Sequence, residues 1–238
     1  MNNIKVENNI CIITLDNPPH NYLYRPEFID AKKLIEIIET DKCKAILFTG
    51  AGRHFSAGAD IVELQKNISK NILESEINKG LDLLRSLKSF KLPIIACIEG
   101  SCLGGGLEIA LTADIRIASK KALFAFPEVN LDLIPGLGGI LNLTQISSKS
   151  TAMQMALKGD IVNAKKAKEL GFVDYLVDAK TSLKIGLEMA KSMTEGRSLE
   201  LVKSVVEAVR NAEVLEYEEA LKTETKLFGK LARKIKNA

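Results

Sequence analysis

Two glycine-rich segments are the parts of this 238-residue chain whose residue types and spacing could do chemistry. They are Gly50–Asp60 and Glu99–Glu108, and each follows an apolar run typical of a buried strand and leads into a helical pattern. Loops without side chains at helix starts let backbone N–H groups approach a ligand closely. Because neither segment carries the lysine of a phosphate-binding loop, the pair favours an oxyanion hole, which holds an oxygen that becomes negative during reaction.

Two glutamates accompany these segments. Glu108 is expected in the first turn of a helix Leu107–Leu111, where a carboxylate is also a favourable partner of the helix dipole. Glu128 lies within the apolar run Phe124–Val129, which would raise the pKa of its carboxyl if the side chain were buried. Taken alone, Glu128 is more simply interpreted as a surface acid at the end of a strand.

The other reactive side chains point to no chemistry. His20 follows two prolines and His54 lies in a glycine loop, and both are predicted to be solvated loop imidazoles. Two histidines without paired cysteines argue against a structural zinc site, so no metal is predicted. Cys102 lies between two glycines, and a nucleophilic role is disfavoured because no histidine base is near it in sequence.

The elements that position these residues follow from hydrophobic periodicity. The predicted strands include Ile4–Glu7, Ile10–Leu15, Ala45–Thr49 and Ile94–Ile98, with a hairpin turn at Asn8 and Asn9. Helices are predicted from Pro26 through Ile38, along an apolar stripe from Leu73 to Leu87, and over Ala164–Leu170 with Asn163 as N-cap and Gly171 after the helix. From Ala179 onward three helices and no strand are expected. The pattern therefore predicts an α/β core of roughly 180 residues with a helical tail.

Composition narrows the class of protein. Apolar residues make up 46% and charged residues 26%, as in an ordinary globular chain, and the net charge is only +3. Such a charge favours neither nucleic acid nor anionic lipid as a partner, and no apolar run reaches the ~20 residues of a membrane span. The segment from Met1 to Glu7 lacks the features of a signal peptide, and the four scattered cysteines are expected to be buried hydrophobes. We therefore expect a cytoplasmic protein.

Four sequence stretches together resemble the enoyl-CoA hydratase/isomerase (crotonase) family. Phe55–Ile61 is FSAGADI, and Gly100–Glu108 is GSCLGGGLE. The third combines Phe126-Pro-Glu128 with Ile134–Gly139, which is IPGLGG, and the fourth is Ala164–Asp174. Ordered motifs at fitting intervals over nearly the whole chain are more specific than any one of them.

The resemblance implies the fold and the assembly. The fold class would be α/β, a crotonase-type spiral of ββα units with a C-terminal helical trimerisation region. Residues 1–190 would form the core with the acyl-CoA site, and residues 191–238 the oligomerisation tail. A homotrimer or a dimer of trimers is expected, because apolar stripes on the tail helices have too little neighbouring chain to bury them. These stripes comprise Leu199, Val202, Val205, Val206, Leu221, Leu227 and Leu231.

The same resemblance implies a substrate and a site. The substrate would be an acyl-CoA thioester whose carbonyl oxygen accepts hydrogen bonds from the N–H groups of Ala59 and Gly105. The other substrate-binding residues would be Ala57, Asp60, Ile61 and Gly136. Glu108 and Glu128 would be catalytic, one activating water and one protonating the α-carbon. The expected reaction is reversible hydration of a 2-enoyl-CoA to a 3-hydroxyacyl-CoA, with no cofactor beyond the coenzyme A of the substrate.

Two departures from the family pattern bear on how CoA is held. Many hydratases carry a lysine soon after the first motif, where this chain has Ile61-Val62-Glu63. Relatives usually continue beyond the position of Gly229 with a basic, aromatic-containing stretch that helps to cover CoA. This chain instead has a short basic end, expected to be a frayed, solvated terminus: Lys230, Arg233, Lys234 and Lys236. A reduced cover favours a more open pocket or an acyl group carried on a protein.

Other activities remain open at this point. Within the family, they are enoyl-CoA isomerisation, dienoyl-CoA hydration and dehydration of a carrier-bound acyl group. From another class comes a non-catalytic acyl-CoA or RNA binding protein, against which the retained glutamate pair and the low net charge argue. The segment Gln65–Asn71, which varies in the family and shapes the acyl pocket, indicates no chain length.

Overall fold

The computed structural model of the chain describes residues 3–235, so Lys236 and the first two residues of the predicted N-terminal segment lie outside it. The strands of the described chain, β1 to β9, are Asn3–Glu7, Ile10–Leu15, Ala45–Gly50, Ile94–Ile98, Ser101–Leu103, Ile115–Ser119, Leu123–Ala125, Val162–Asn163 and Tyr175–Val177. The α-helices, α1 to α10, are Ala31–Thr40, Ile61–Ser69, Leu73–Ser89, Gly105–Leu111, Gly139–Ile146, Lys149–Lys158, Ala164–Glu169, Ser182–Thr194, Leu199–Val214 and Tyr217–Ile235. A 3₁₀ helix, Pro127–Leu131, follows β7.

The strands form two sheets. The larger has the order β1-β2-β3-β4-β6-β9, in which β1 and β2 are antiparallel and the other neighbours are parallel. The smaller has the order β5-β7-β8. The chain passes from the larger sheet to the smaller one and then into a helix, as β4-β5-α4 and again as β6-β7 followed by the 3₁₀ helix. This repeated path is the predicted spiral, and it places each helix start beside the end of a short strand.

The apolar runs of the sequence become strands because helices cover the larger sheet. All five residues of β4 and the first five of β3 are buried, as expected for parallel strands packed on both faces. The hairpin turn is also confirmed, since Asn8 and Asn9 both adopt positive φ, as a two-residue turn requires. The four cysteines are buried and free. The four strands predicted by residue, β1 to β4, were thus placed to within one residue at each end.

The predicted start of helix α1 was wrong. The predicted helix from Pro26 begins at Ala31, because Asp30 is its N-cap and accepts a hydrogen bond from the N–H of Lys33 at 3.1 Å. Phe28 and Ile29 are buried outside any helix. Asn163, in contrast, caps α7 as predicted, with Oδ1 accepting from the N–H of Lys166 at 2.9 Å.

The three predicted tail helices are present as α8, α9 and α10, and α9 is held by its own chain. The guanidinium of Arg210 donates to the carboxylate of Asp114 at 2.8 and 3.1 Å and to the carbonyl of Leu92 at 3.0 Å. Val202 is buried in the core of the chain, so the prediction that it lacks neighbouring chain was wrong.

The basic end also differs from the prediction. It belongs to α10 as far as Ile235, and Lys230 and Lys234 pair with Glu200 of α9, so it is not a frayed terminus within the described residues. No helix in residues 3–235 is both long and apolar enough to cross a membrane. The division into core and tail and the cytoplasmic location stay predictions.

Candidate active site

The two glycine segments are joined side by side. The first follows β3 and is held at Leu23, whose N–H donates to the carbonyl of Gly58 at 2.8 Å while its carbonyl accepts from the N–H of Asp60 at 3.2 Å. The second follows β4 and pairs with the first through Leu103, whose N–H donates to the carbonyl of Ser56 at 2.9 Å. Backbone bonds thus fix the position of one segment against the other.

This joining brings two free backbone amides to the same space. Ala59 immediately precedes Asp60, the N-cap of α2, and Gly105 is the first residue of α4. A Cβ added to Gly105 would lie 4.0 Å from the nitrogen of Ala59. Among the described residues neither N–H group donates a hydrogen bond to the chain. Two unpaired donors facing one space can hold an oxygen that gains negative charge.

Glu108 is the more deeply buried of the two glutamates, with 2% of its surface exposed. Its Oε1 accepts hydrogen bonds from the N–H groups of Leu137 at 2.6 Å and Gly139 at 2.9 Å. Burial, together with the charge of Glu128, raises the pKa of Glu108 to about 7, although the N–H donors of the following loop oppose the rise. Glu108 can therefore exist in either protonation state near neutral pH.

Glu128 lies in the 3₁₀ helix and is not the surface acid that its sequence position suggested. Its Oε2 is buried and has no hydrogen-bond partner among the described residues, and burial raises the pKa of its carboxyl. Its Oε1 lies over Gly104, where an added Cβ would be only 2.6 Å away. An unpartnered buried carboxyl oxygen is costly, and such a group in a cavity is suited to a ligand or water.

The two carboxyl groups flank the peptide between Gly104 and Gly105. A Cβ on Gly105 would lie 4.0 Å from Oε2 of Glu108, just as one on Gly104 would meet Glu128. Gly104 has φ +49° and ψ −127°, a conformation that side chains disfavour.

Two connected cavities open at this peptide. The inner cavity has a volume of about 150 Å³ and extends from Glu108 and Glu128 towards α3. The outer cleft, of about 520 Å³, extends over Leu103, Pro127 and Asn130. Both are lined by a shared set of residues: Ala59, Asp60, Leu64, Glu128 and Leu133.

Every predicted site residue lines one of these cavities. Ala57 and Ile61 line the outer cleft, Gly105 and Gly136 the inner cavity, and Ala59 and Asp60 both. Their proposed roles in binding stay predictions. Four residues that hold the site together and shape it were not among the predicted site residues: Leu23, Ile77, Leu137 and Gly139. Leu137 and Gly139 lie inside the recognised IPGLGG stretch, whereas no sequence signal marked Leu23 or Ile77.

The remaining reactive side chains lie outside these two cavities. His54 is half-buried rather than solvated, because its Nδ1 accepts a hydrogen bond from the N–H of Ser101 at 3.1 Å. Burial lowers the pKa of His54, and the nearby His20 and Arg53 lower it further. Cys102 is fully buried in β5. No group of three or more His, Cys, Asp or Glu within residues 3–235 is placed to hold a metal ion.

The fold and its joined glycine segments define a protein of the crotonase class, and comparison with known proteins identifies the family. The chain belongs to the enoyl-CoA hydratase/isomerase family, whose pattern it matches over residues 5–237, and this family acts on acyl-CoA substrates. It is 34% identical to a probable enoyl-CoA hydratase of Bacillus subtilis, over 95% of this chain and 88% of that protein. It is also 34% identical to the mitochondrial enoyl-CoA hydratase of Pongo abelii, over 93% of this chain and 76% of that protein.

A solved structure has the same fold. The crystal structure of an enoyl-CoA hydratase subunit I from Geobacillus kaustophilus superposes with a TM-score of 0.85 at 31% identity. The match covers 98% of this chain and 90% of that one. The resemblance noted in the sequence therefore extends to the whole tertiary structure.

Proposed function

We propose that the protein catalyses reversible hydration of a 2-enoyl-CoA to a 3-hydroxyacyl-CoA. The observation that carries the proposal is the pair of buried carboxyl groups, Glu108 and Glu128, on either side of a peptide that presents an unpaired N–H. Both carboxyl groups have raised pKa values, so the pair suits one proton held between two acids. Conjugate hydration needs this combination of a base and an acid at one water molecule.

The proposed reaction uses each group once in every turnover. The thioester carbonyl oxygen accepts hydrogen bonds from the N–H groups of Ala59 and Gly105. One carboxylate takes a proton from water as the water oxygen bonds to C3, and the C2–C3 π electrons move towards the carbonyl. The negative charge that develops on the oxygen is stabilised by the two N–H donors. The other carboxyl, which enters the step protonated, delivers its proton to C2. Transfer of the proton taken from water to this second carboxyl then restores the starting state.

Product identity tests this proposal. Purified protein is incubated separately with a 2-enoyl-CoA, a 3-enoyl-CoA, a dienoyl-CoA, a 3-hydroxyacyl-CoA and a 2-enoyl group attached to an acyl carrier protein, and the products are identified by mass and chromatography. We expect the 2-enoyl and 3-hydroxyacyl thioesters to interconvert with gain and loss of one water. If the protein isomerises the 3-enoyl-CoA and hydrates none of the thioesters, it is an isomerase and not a hydratase. If it acts only on acyl groups bound to a carrier protein, CoA is not the carrier of its substrate.

We also propose that the protein assembles as a homotrimer or a dimer of trimers. Apolar side chains are exposed on α9 and α10, among them Val205, Val209, Val214, Leu221 and Phe228. Apolar surface of this extent normally packs against another chain. Light scattering is expected to give a mass near three or six times the 26.0 kDa of one chain. A stable monomer at micromolar concentration would contradict the proposal.

A further inference from the structure

The inner cavity has a closed side, formed by helix α3. Leu73 and Ile77 of this helix line the cavity. A Cβ added to Gly136 would lie 3.3 Å from Cδ1 of Ile77, so Ile77 packs against the loop that holds Glu108. The side chain of Leu137 closes the same side, since a Cβ on Gly80 of α3 would meet its Cδ2 at 2.8 Å. A chain that enters past the two carboxyl groups therefore runs into α3.

The volume of the inner cavity limits what can be held there. An apolar protein cavity of about 150 Å³ holds one benzene molecule, which has about six carbon atoms. The inner cavity has the same volume. It is lined mainly by apolar side chains away from the carboxyl groups, such as Leu23, Leu73, Ile77 and Leu137. An acyl chain of about four to six carbons fills this volume, and a longer chain has to displace Ile77 or leave the cavity beside the exposed side chains of Tyr24 and Ile134.

The outer cleft is suited to the rest of the substrate. It shares Ala59 and Glu128 with the inner cavity and is the larger of the two. Its rim includes the exposed side chains of Ile61, Val62 and Leu131. A thioester held between the cavities therefore directs its acyl chain inward and its carrier arm outward.

The charged side chains that line the inner cavity are all acidic, and one of them, Glu63, pairs with Lys66 outside the lining at 2.6 Å. Its ionisable lining includes Asp60, Glu63, Glu108 and Glu128, and within the described chain no lysine or arginine lines it. A carboxylate at the far end of an acyl chain would be buried among acidic groups without a cationic partner. Burial of an unpaired charge is costly, and neighbouring like charges add to that cost.

We propose that the inner cavity selects acyl chains of about four to six carbons that carry no terminal charge, and that Ile77 is the specificity-determining residue that ends it. This inference rests on the proposed function only in taking the acyl group as the part that enters. Each methylene that a hydrophobic pocket cannot accommodate typically changes specificity by about 10-fold or more. The expected discrimination is therefore large enough to measure by binding alone.

Binding and turnover are measured separately in the test. Isothermal calorimetry with butyryl-, valeryl-, hexanoyl-, decanoyl- and glutaryl-CoA reports the selection without any reaction. We expect decanoyl-CoA to bind at least about 10-fold more weakly than hexanoyl-CoA, and glutaryl-CoA at least about 10-fold more weakly than valeryl-CoA, its uncharged match in length. Equal affinities within either pair would overturn the inference. If the protein shows these binding preferences but does not hydrate a 2-enoyl-CoA, the proposed hydratase function is wrong and the proposed selection of acyl chains still holds.

Two substitutions of Ile77 should change the longest acyl chain that the inner cavity accepts, in opposite directions. Ile77→Ala should improve binding of decanoyl-CoA relative to butyryl-CoA by about 10-fold, because it opens the cavity at α3. Ile77→Phe should weaken hexanoyl-CoA by a similar factor while butyryl-CoA still binds. Ile68→Ala serves as the control, since Ile68 is exposed on α2 and lines neither cavity. If both folded Ile77 variants keep the wild-type selectivity for chain length, or if the control variant changes equally, Ile77 does not set the chain-length limit.

Discussion

The surroundings of the two glutamates differ in what holds each carboxyl group. Glu108 projects from a regular helix, and two backbone N–H groups of the following loop fix its Oε1. Glu128 projects from a 3₁₀ helix, and its Oε2 has no partner in the described chain. One carboxyl group is therefore oriented by the fold, whereas the other keeps an oxygen available to whatever enters the cavity.

The different surroundings also affect the pKa values of the two carboxyl groups in different ways. The amides on Glu108 favour its charged form while burial disfavours it, so its pKa stays within reach of neutral pH. For Glu128, burial raises the pKa and the environment offers Oε2 no compensating donor. Substitution at either residue should therefore lower turnover strongly, but the two substitutions should affect stability differently.

Replacing both glutamates tests whether they act as a unit, and it carries the largest expected effect. Glu108→Gln and Glu128→Gln each keep the side-chain volume and remove proton exchange, so each should lower kcat for hydration by roughly 10²–10⁴. The double variant should lose far less than the product of the single losses, because groups acting together are non-additive. The measurement is loss of enoyl-thioester absorbance with a short 2-enoyl-CoA.

An isomerisation assay with a 3-enoyl-CoA accompanies these variants. An isomerase that moves one proton could tolerate loss of one carboxyl group, so the two assays separate the reactions. Full hydration by Glu128→Gln would remove Glu128 from the mechanism and leave its unpaired oxygen without a catalytic explanation.

The peptide between the two carboxyl groups gives the next largest effect. Gly105→Pro removes the N–H, and loss of such a donor typically costs about 10²–10³ in turnover. Gly105→Ala keeps the N–H and adds a Cβ that would lie 3.0 Å from the end of the flexible Leu23 side chain, so it is the matched control. We expect the proline variant to be much less active than the alanine variant when circular dichroism and oligomer size match. Similar activities in the two folded variants would argue against the amide as a donor.

The pH dependence of stability should show the smallest effect and distinguishes the two sites. With its pKa raised from 4.5 to about 7, folded Glu108 binds more protons than the unfolded chain within that window. The free energy of unfolding should therefore fall as pH rises through it. Glu108→Gln should flatten this dependence and leave the variant more stable than wild type at pH 8, by up to about 3 kcal/mol.

Denaturant unfolding at fixed protein concentration between pH 4.5 and 8 measures this effect. Glu128→Gln is the comparison variant, and we expect a smaller flattening because Glu128 is less buried. An unchanged slope in Glu108→Gln would mean that its carboxyl group is not desolvated in solution.

Sequence patterns were reliable where the interaction is local or repeats along an element. The strands β2 and β4 and the cap at Asn163 were predictable, because their apolar runs and capping chemistry depend on neighbouring residues. The start of α1 was missed because apolar residues before Asp30 continue the helical spacing, and only the cap hydrogen bond shows where the helix begins. The boundary was thus missed because a local cap was overlooked beside a continuing apolar pattern.

The sequence by itself determined the first strands and helices, the helical tail, the two glycine segments and the presence of both glutamates, through periodicity and through resemblance to a family. Only the tertiary structure decided that Oε2 of Glu128 is buried without a partner among the described residues, that Leu137 orients Glu108, and that Ile77 closes the inner cavity at α3. These features join residues far apart in the chain. Burial and the pKa of a carboxyl depend on everything packed around it, so no single segment of sequence contains that information.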